Sequence, residues 1–260
     1  MRADYHIHTH YCDGKASPAQ MAEAALSAGL ERLGFSGHSY TFFDETWCMS
    51  RAGTEAYRRE VRGLREKYAG EMDILCGIEQ DYYSAEPTEG YDYVIGSVHY
   101  VRAGENYLPV DESPALLRAG AEKAFRGDIY AFAEAYYETV SRVPEIPGCS
   151  VIGHFDLFAK FNEKEPLFDA SHPRYAAAWQ RAADRLLESG LPFELNTGAI
   201  ARGYRTLPYP APDILRYLAA RGARFLLSSD SHSPETLCFG FEAWRRKAEG
   251  LGCRFLECPI

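Results

Sequence analysis

Histidine and acidic side chains, the types that commonly bind metal ions, lie at the ends of short apolar runs. This placement recurs along most of the chain. It begins in Asp4-Tyr5-His6-Ile7-His8, and later apolar runs end at His38, Glu79, His99, His154, Asp230 and His232. If the runs are strands, these side chains lie at strand carboxyl ends, which face one way in a β/α barrel and build its active site. Imidazoles and carboxylates that converge there predict a multi-metal hydrolytic centre.

The segments between these runs have the signals of helices. Ser17 with Gln20 forms a capping-box pattern, Pro18 suits the first helical position, and Gly29 suits a helix end. Strands are predicted over 3–7, 32–36, 73–78, 91–98, 150–153, 193–196 and 224–228. Further helices are predicted over 55–68, 114–142 (broken near Gly127), 173–189 and 212–220, with another start at 233–235. The alternation predicts a parallel α/β sheet of about seven strands with right-handed crossovers.

Two segments, 42–50 and 102–114, are predicted to be long loops on the active-site side. Loops in that position usually carry specificity. The first segment contains three aromatic residues, Phe42, Phe43 and Trp47, and Tyr40 lies just before it. Aromatic side chains there either wall a substrate pocket or pack the loop onto the barrel.

Length and composition predict one domain over residues 1–260 and limit its partners. The formal net charge of −9 argues against broad nucleic-acid binding, which needs a basic face. No apolar run is long enough to span a membrane, and no secretory-type apolar core opens the chain. The seven cysteines are odd in number and form no CxxC pair, which favours a reducing, cytoplasmic location. The oligomeric state is left open.

The pair His6-x-His8 is the local motif with the clearest geometry. Side chains alternate along a strand, so both imidazoles project from the same face and can share one metal ion. Alone, HxH is a weak signal. Followed in order by Glu79, His99, His154 and Asp230-x-His232, it is a strong indication of a metal centre.

These residues resemble the PHP family, named for polymerase and histidinol phosphatase. The matching segments are His6-Ile7-His8-Thr9 with Asp13-Gly14, Gly37-His38-Ser39, Gly77-Ile78-Glu79, Gly96-Ser97-Val98-His99, Gly153-His154-Phe155-Asp156 and Ser229-Asp230-Ser231-His232. Glu194-Leu195-Asn196-Thr197 with Arg202, and Leu157 with Lys160, are most similar to the stand-alone histidinol-phosphatase branch. The resemblance implies a distorted (β/α)7 barrel, similar to a TIM barrel, with two or three divalent ions, either Zn, Fe or Mn.

The resemblance also implies how the ligands are shared. One ion would take His6, His8, Glu79 and Asp230, and a second would take Glu79, His99 and His154, so that Glu79 bridges the two. A third would take Asp13, His38 and His232. The family often has a histidine one position after Asp13, where this chain has Gly14, so Asp13 is the substitute ligand.

The implied activity is hydrolysis of a small phosphate monoester, with L-histidinol phosphate of histidine biosynthesis as the first choice. Two ions about 3.5–4 Å apart can activate water and stabilise the attacking and leaving oxygens. Glu79, Asp230 and His232 are the candidate catalytic residues, and Arg202, Lys160 and His38 the candidate substrate contacts; Arg202 matches phosphate as a bidentate fork. The alternatives are another small phosphate ester or nucleotide, a proofreading nuclease, an amidohydrolase-like deacylase, or a metal-dependent binding protein without turnover.

Overall fold

The computed structural model describes residues 2–260, so residue 1 of the predicted domain lies outside it. Eight parallel strands form the main sheet: β1 (Ala3–Asp4), β2 (Arg32–Phe35), β3 (Asp73–Asp81), β4 (Tyr93–Ser97), β7 (Cys149–Ile152), β8 (Phe193–Asn196), β9 (Arg224–Ser228) and β10 (Arg254–Phe255). The hairpin strands β5 (Tyr100–Ala103) and β6 (Asn106–Pro109) pair antiparallel with each other.

Helices connect the strands, as the alternating pattern predicts. They are α1 (Pro18–Ser27), α2 (Arg51–Lys67), α3 (Pro114–Phe125), α4 (Ile129–Val140), α5 (Pro173–Glu188), α6 (Gly198–Ala201), α7 (Pro212–Ala220) and α8 (Phe241–Gly250). The capping box at Ser17 and Gln20 is present at the start of α1. Within the described residues, no helix has the length and apolar character needed to cross a membrane.

Seven of these strands, β1–β4 and β7–β9, curl into a distorted barrel, which confirms the predicted fold, and β10 pairs with β9 as an eighth strand. The strand order is β1-β2-β3-β4-β7-β8-β9-β10. Beyond the end of β9, Ser231 bridges to Ile7 in parallel, with the Ser231 amide donating to His6 (3.0 Å) and the His8 amide donating to Ser231 (2.8 Å). β10 pairs only with the start of β9, at Arg224 and Phe225. The two neighbours on this side are therefore staggered. The start of β9 pairs with β10, whereas the β1 segment pairs only with residues beyond the end of β9, and this stagger distorts the barrel.

A small core of aromatic and aliphatic side chains supports the barrel beneath the strand ends. Tyr93 is buried in it, and its hydroxyl lies between two carbonyl oxygens, 2.6 Å from that of Tyr5 and 2.9 Å from that of Phe35. A Cβ at Gly34 or Gly77 would lie within 2.4 Å of the Tyr93 side chain. The glycines therefore make room for the ring. Because side chains alternate along β3, Gly77 and Glu79 project to the same side, with the Tyr93 ring beneath Glu79.

Several predicted boundaries are wrong in an informative way. Segment 102–114 is not one long loop, since its first part belongs to the β5–β6 hairpin, with Gly104 at φ +64° in the turn. Helix α2 begins at Arg51 because the Ser50 side chain accepts from the Gly53 amide at 3.0 Å. The predicted helix start at 233–235 opens only the short 3-10 helix Pro234–Thr236, and β10 was not predicted. The predicted break near Gly127 is confirmed between α3 and α4.

Candidate metal centre

The Glu79 carboxylate lies at the centre of the strand-end cluster and is about 1% exposed. Its two oxygens face different histidines. Oε1 lies 2.8 Å from His154 Nε2 and 3.4 Å from His99 Nε2. Oε2 lies 2.8 Å from His38 Nδ1, with His6 also near it. Glu79 thus has the geometry of a bridge between two neighbouring sites.

The HxH pair lies on the Oε2 side of Glu79. His6 Nε2 is 3.2 Å and His8 Nε2 is 3.5 Å from Glu79 Oε2. Asp230 Oδ1 completes the group, at 3.2 Å from His8 Nε2 and 3.8 Å from His6 Nε2. The structure therefore brings together all four residues of the first ligand set.

A third group is more open to solvent. Asp13 Oδ2 lies 3.0 Å from His232 Nε2, and Asp13 Oδ1 lies 3.6 Å from both His38 Nε2 and His8 Nδ1. The Asp13 side chain is 34% exposed and that of His232 is 18% exposed, whereas those of His6 and His8 are fully buried. An ion held here would be the one most accessible to solvent.

Gly14 explains why the carboxylate precedes it in place of a histidine at position 14. A Cβ on Gly14 would lie 2.5 Å from the Thr9 nitrogen and 2.6 Å from the His8 carbonyl carbon. Any side chain there would push against the backbone of the HxH motif itself. With this backbone, Asp13 is the residue of the pair that reaches the third group.

The donor set fits divalent transition-metal ions. Three sets of ligand atoms each lie within 4.8 Å of one another: His6, His8 and Glu79; His38, Glu79 and His99; and His8, Asp13, His38 and His232. His154 faces Glu79 Oε1 and Asp230 faces the HxH pair, but neither belongs to any of these sets. Several of the atoms are buried without a hydrogen-bond partner, among them Nε2 of His6 and His8 and Oε2 of Glu79. Buried polar atoms normally have partners, so these are suited to coordinate ions.

The electrostatics of the cluster favour ionised carboxylates. Burial alone would raise the pKa of Glu79, but the imidazoles around it, His38 foremost, hold the pKa well below its usual range. Burial likewise works against ionised Asp230, yet Arg202 and His6 lower its pKa strongly. For His38, burial lowers the pKa, but Glu79 and Asp13 outweigh it and raise the pKa to about 9.

Two carboxylates that the sequence did not single out as site residues hold the outer faces of the histidines. Glu194 Oε1 lies 2.5 Å from His6 Nδ1. Asp81 Oδ2 accepts from the His99 amide at 3.0 Å and lies 3.2 Å from His99 Nδ1. Such partners fix the tautomer and the orientation of a ligating histidine. Asp81 could have been found from its spacing, because it projects from the same face of β3 as Glu79.

The two predicted phosphate-binding cations reach the same pocket but are already paired. Arg202 donates to Asp230 Oδ2 at 2.9 Å, and its Nη1 lies 2.7 Å from His232 Nδ1. Lys160 donates to the Asp111 carbonyl at 2.8 Å and to its carboxylate at 3.0 Å. Both side chains line a pocket of about 340 Å³ together with the candidate ligands.

Of the aromatic group near segment 42–50, Trp47 lines the pocket and the others do not. Its ring lies edge-on to His38, with centroids 4.4 Å apart. Its Nε1 donates to the Tyr100 hydroxyl at 2.6 Å, which in turn donates to Asp44 at 2.6 Å. Phe43 instead stacks on Tyr107 of the hairpin at 3.7 Å. The loop and the β5–β6 hairpin thus form one wall of the pocket, in which Trp47 faces the interior and Phe43 packs the loop onto the hairpin.

Comparison with known proteins gives a consistent picture. The profile of the PHP domain family matches residues 4–198. A probable histidinol-phosphatase of Deinococcus radiodurans is 31% identical, over 96% of this chain and 94% of that protein. The histidinol-phosphatase of Bacillus subtilis is 26% identical, over 94% of this chain and 98% of that protein.

Solved structures show the same fold. A putative histidinol phosphatase from Listeria monocytogenes superposes with a TM-score of 0.79 at 18% identity, covering 94% of this chain and 100% of that one. Histidinol phosphate phosphatase from Lactococcus lactis, solved with zinc, L-histidinol and phosphate, gives a TM-score of 0.69 at 18% identity. It covers 98% of this chain and 95% of that one.

Proposed function

Because this chain belongs to the PHP domain family, we propose that it is a metal-dependent phosphomonoesterase that hydrolyses L-histidinol phosphate to L-histidinol and phosphate. The observation that carries the proposal is the divided Glu79 carboxylate, with one oxygen toward His154 and the other toward His38 and His6. The similarity to relatives named histidinol-phosphatase over nearly the whole chain supports this substrate.

Three groups of residues would hold the ions. His6, His8, Glu79 and Asp230 would hold the first; Glu79, His99 and His154 the second; and Asp13, His38 and His232 the third. When bound, the ions supply an activated water and stabilise charge on the phosphoryl oxygens. Imidazole and carboxylate ligands suit Zn, Fe or Mn. The zinc in the Lactococcus lactis structure makes zinc the first ion to test.

The chain's own residues bind and orient the substrate beside these sites. Arg202 presents a guanidinium, itself held by Asp230, toward the pocket and would donate to the phosphate oxygens as a fork. Lys160 adds a second positive charge and is positioned by Asp111. Glu79, Asp230 and His232 act on the reaction as ligands. His38 belongs to the third ligand group and also lines the pocket, so it would contact the phosphate end of the substrate.

The size and the aromatic lining of the pocket suit a small phosphate ester. Its volume is about 340 Å³, and one wall consists of Trp47 and Tyr100, which are fixed to each other by a hydrogen bond. The same rigid wall offers flat faces against which an imidazole ring can pack. Another small phosphate ester is the second candidate, because the metal groups alone would serve it equally.

A phosphate-release assay on the zinc-loaded protein tests the proposal. The substrates are L-histidinol phosphate, AMP and a second small phosphate monoester, each at several concentrations, with the chelator-treated protein as the control. We expect kcat/KM to be highest for L-histidinol phosphate and to disappear after metal removal. Efficient turnover of AMP with none of L-histidinol phosphate would shift the assignment to a general phosphoesterase. No release from any substrate would favour a binding protein.

A further inference from the structure

Strand β8 supplies no candidate metal ligand, yet it carries a buried carboxylate directly behind the metal centre. Glu194 is completely buried and contacts ligand residues that follow two other strands, β1 and β7. Its Oε1 lies 2.5 Å from Nδ1 of His6. Its Oε2 accepts from the backbone amide of His154 at 2.9 Å. One carboxylate thus touches a residue of the first ligand group and a residue of the second.

A third donor fixes the orientation of Glu194. The side-chain nitrogen of Asn196 donates to Glu194 Oε2 at 3.0 Å. Asn196 cannot turn its amide over without loss, because its Oδ1 accepts from the Gly198 amide at 2.8 Å. Three donors therefore converge on Glu194: the His6 ring, the His154 amide and the Asn196 amide. An ionised carboxylate satisfies all three, since it offers acceptors only.

We propose that Glu194 is a positioning residue that keeps Nε2 of His6 free for metal by accepting a hydrogen bond from the Nδ1–H of His6, and that also anchors His154 through its backbone amide. This inference rests on the proposed metal-dependent function. The ring of His6 has one nitrogen toward Glu194 and the other toward Glu79 and Asp230. A proton held on the Glu194 side leaves the metal-facing nitrogen able to coordinate.

The proposal makes glutamine a sharp probe, because it has the shape of glutamate but one donor in place of an acceptor. In Glu194→Gln the amide oxygen belongs on the side with two donors, His154 and Asn196. The amide nitrogen then points at His6 Nδ1 and requires it to accept. That arrangement places the ring proton on Nε2, where it blocks coordination. The opposite amide orientation would place its nitrogen against two donors.

The test compares Zn²⁺ affinity, measured by competition with a chelating dye, in wild type, Glu194→Gln and Asp156→Asn. Asp156 is the matched control because it is also a buried carboxylate, but its contacts are to Arg205 and the Ala211 amide. We expect Glu194→Gln to lose about 10- to 100-fold in affinity for the tightest ions. Asp156→Asn should lose stability while keeping wild-type affinity.

Long-range ¹H–¹⁵N spectra of the histidine rings provide the readout that a merely structural role would not change. In the glutamine variant, His6 should carry its proton on Nε2. Wild-type zinc affinity with an unchanged His6 tautomer would overturn the proposal. If Glu194→Gln does not fold, Glu194→Asp keeps both acceptors but withdraws them by one methylene. Glu194→Asp should lose at least about tenfold in zinc affinity. Wild-type zinc affinity in this variant would also contradict the proposal.

These measurements separate the two hypotheses. Zinc affinity and the ring tautomer do not depend on which phosphate ester is hydrolysed. If the wild-type protein binds zinc but ignores L-histidinol phosphate, the proposed substrate fails and the role of Glu194 stands. If wild type turns over L-histidinol phosphate while Glu194→Gln binds zinc normally, the role of Glu194 fails and the proposed function stands.

Discussion

Arg202 forms two hydrogen bonds with Asp230. Its Nη2 donates to the Asp230 carboxylate and its Nη1 to the Asp230 carbonyl, both at 2.9 Å. The other carboxylate oxygen of Asp230 faces His6 and His8. The guanidinium is thereby held at the edge of the metal centre, on the side away from the HxH pair. Because the guanidinium is already held in place, binding an anion next to the metal ions would cost little side-chain entropy.

The first prediction concerns this guanidinium. Arg202→Ala should lower kcat/KM for L-histidinol phosphate by about 10- to 100-fold, because a charge-assisted pair contributes roughly 1.5–3 kcal/mol. Arg202→Lys should recover only part of the activity, since it keeps the charge and loses the fork. Steady-state kinetics with metal analysis check this. Arg216→Ala removes an exposed helical arginine that pairs with Asp213 and serves as the control. Unaltered kinetics in Arg202→Ala would return Arg202 to a structural role.

The second prediction concerns the bridge. Glu79→Gln leaves one acceptor oxygen where two opposite groups of histidines each need one, so it should abolish joint binding of the first two ions. Since the ions contribute several kcal/mol to the transition state, turnover should fall by about 10³-fold or more. Elemental analysis and kinetics measure both effects. Glu86→Gln, at a carboxylate paired with Arg51, is the control. Near-normal turnover in a folded, metal-saturated Glu79→Gln would disprove the bridging role.

The third prediction concerns the number of ions. Wild-type protein should bind at least two tightly, and a third should leave first on dialysis against a weak chelator, because its ligands Asp13 and His232 are the most exposed. Asp13→Asn should lose that ion alone. Metal content measured across the dialysis tests this. If the two proteins release three ions in the same order and at the same chelator strength, Asp13 is not a ligand.

The fourth prediction is a pH dependence of metal binding. The pKa of His38 in the metal-free protein is raised to about 9, because Glu79 and Asp13 outweigh the effect of burial. Below that pH the ring is protonated, and a metal ion must displace the proton. Apparent affinity at the third group should therefore rise with pH up to about 9, with proton release. Calorimetry in buffers of different ionisation enthalpy measures the released protons. A buffer-independent enthalpy at pH 7 would contradict this prediction.

The fifth prediction concerns Gly14. Gly14→Ala places a Cβ against the backbone of His8 and Thr9. It should lower the free energy of unfolding by about 1–3 kcal/mol, as overpacking does. Gly63→Ala is the control, since a Cβ there meets nothing within 4 Å in helix α2. It should raise stability by about 0.5–1 kcal/mol. Urea denaturation compares the two. If Gly14→Ala were as stable as wild type, the backbone of the HxH motif would be able to shift and accommodate a side chain at position 14.

The sequence by itself determined the strands that carry the site, because each one ends an apolar run at a polar residue. Parallel strands bring those ends to one side of a sheet, so the sequence alone groups His6, Glu79 and Asp230 in one site. Helix positions followed from caps such as Ser17, which act locally. What was local in the chain was therefore largely predictable. The exceptions include the hairpin stacked on Phe43, where distant packing decided the outcome, and the start of α2, where the local cap at Ser50 begins the helix before the predicted residue 55.

Only the tertiary structure decided which atoms face each other. Glu194 is 188 residues from His6 in the chain, and no spacing rule connects them. The same holds for Arg202 and Asp230, and for the exclusion of any side chain at Gly14 by the His8 backbone. These relationships depend on distances of a few ångströms between strands. Such distances are fixed by the curvature of the barrel and the packing beneath it, which are properties of the whole sheet.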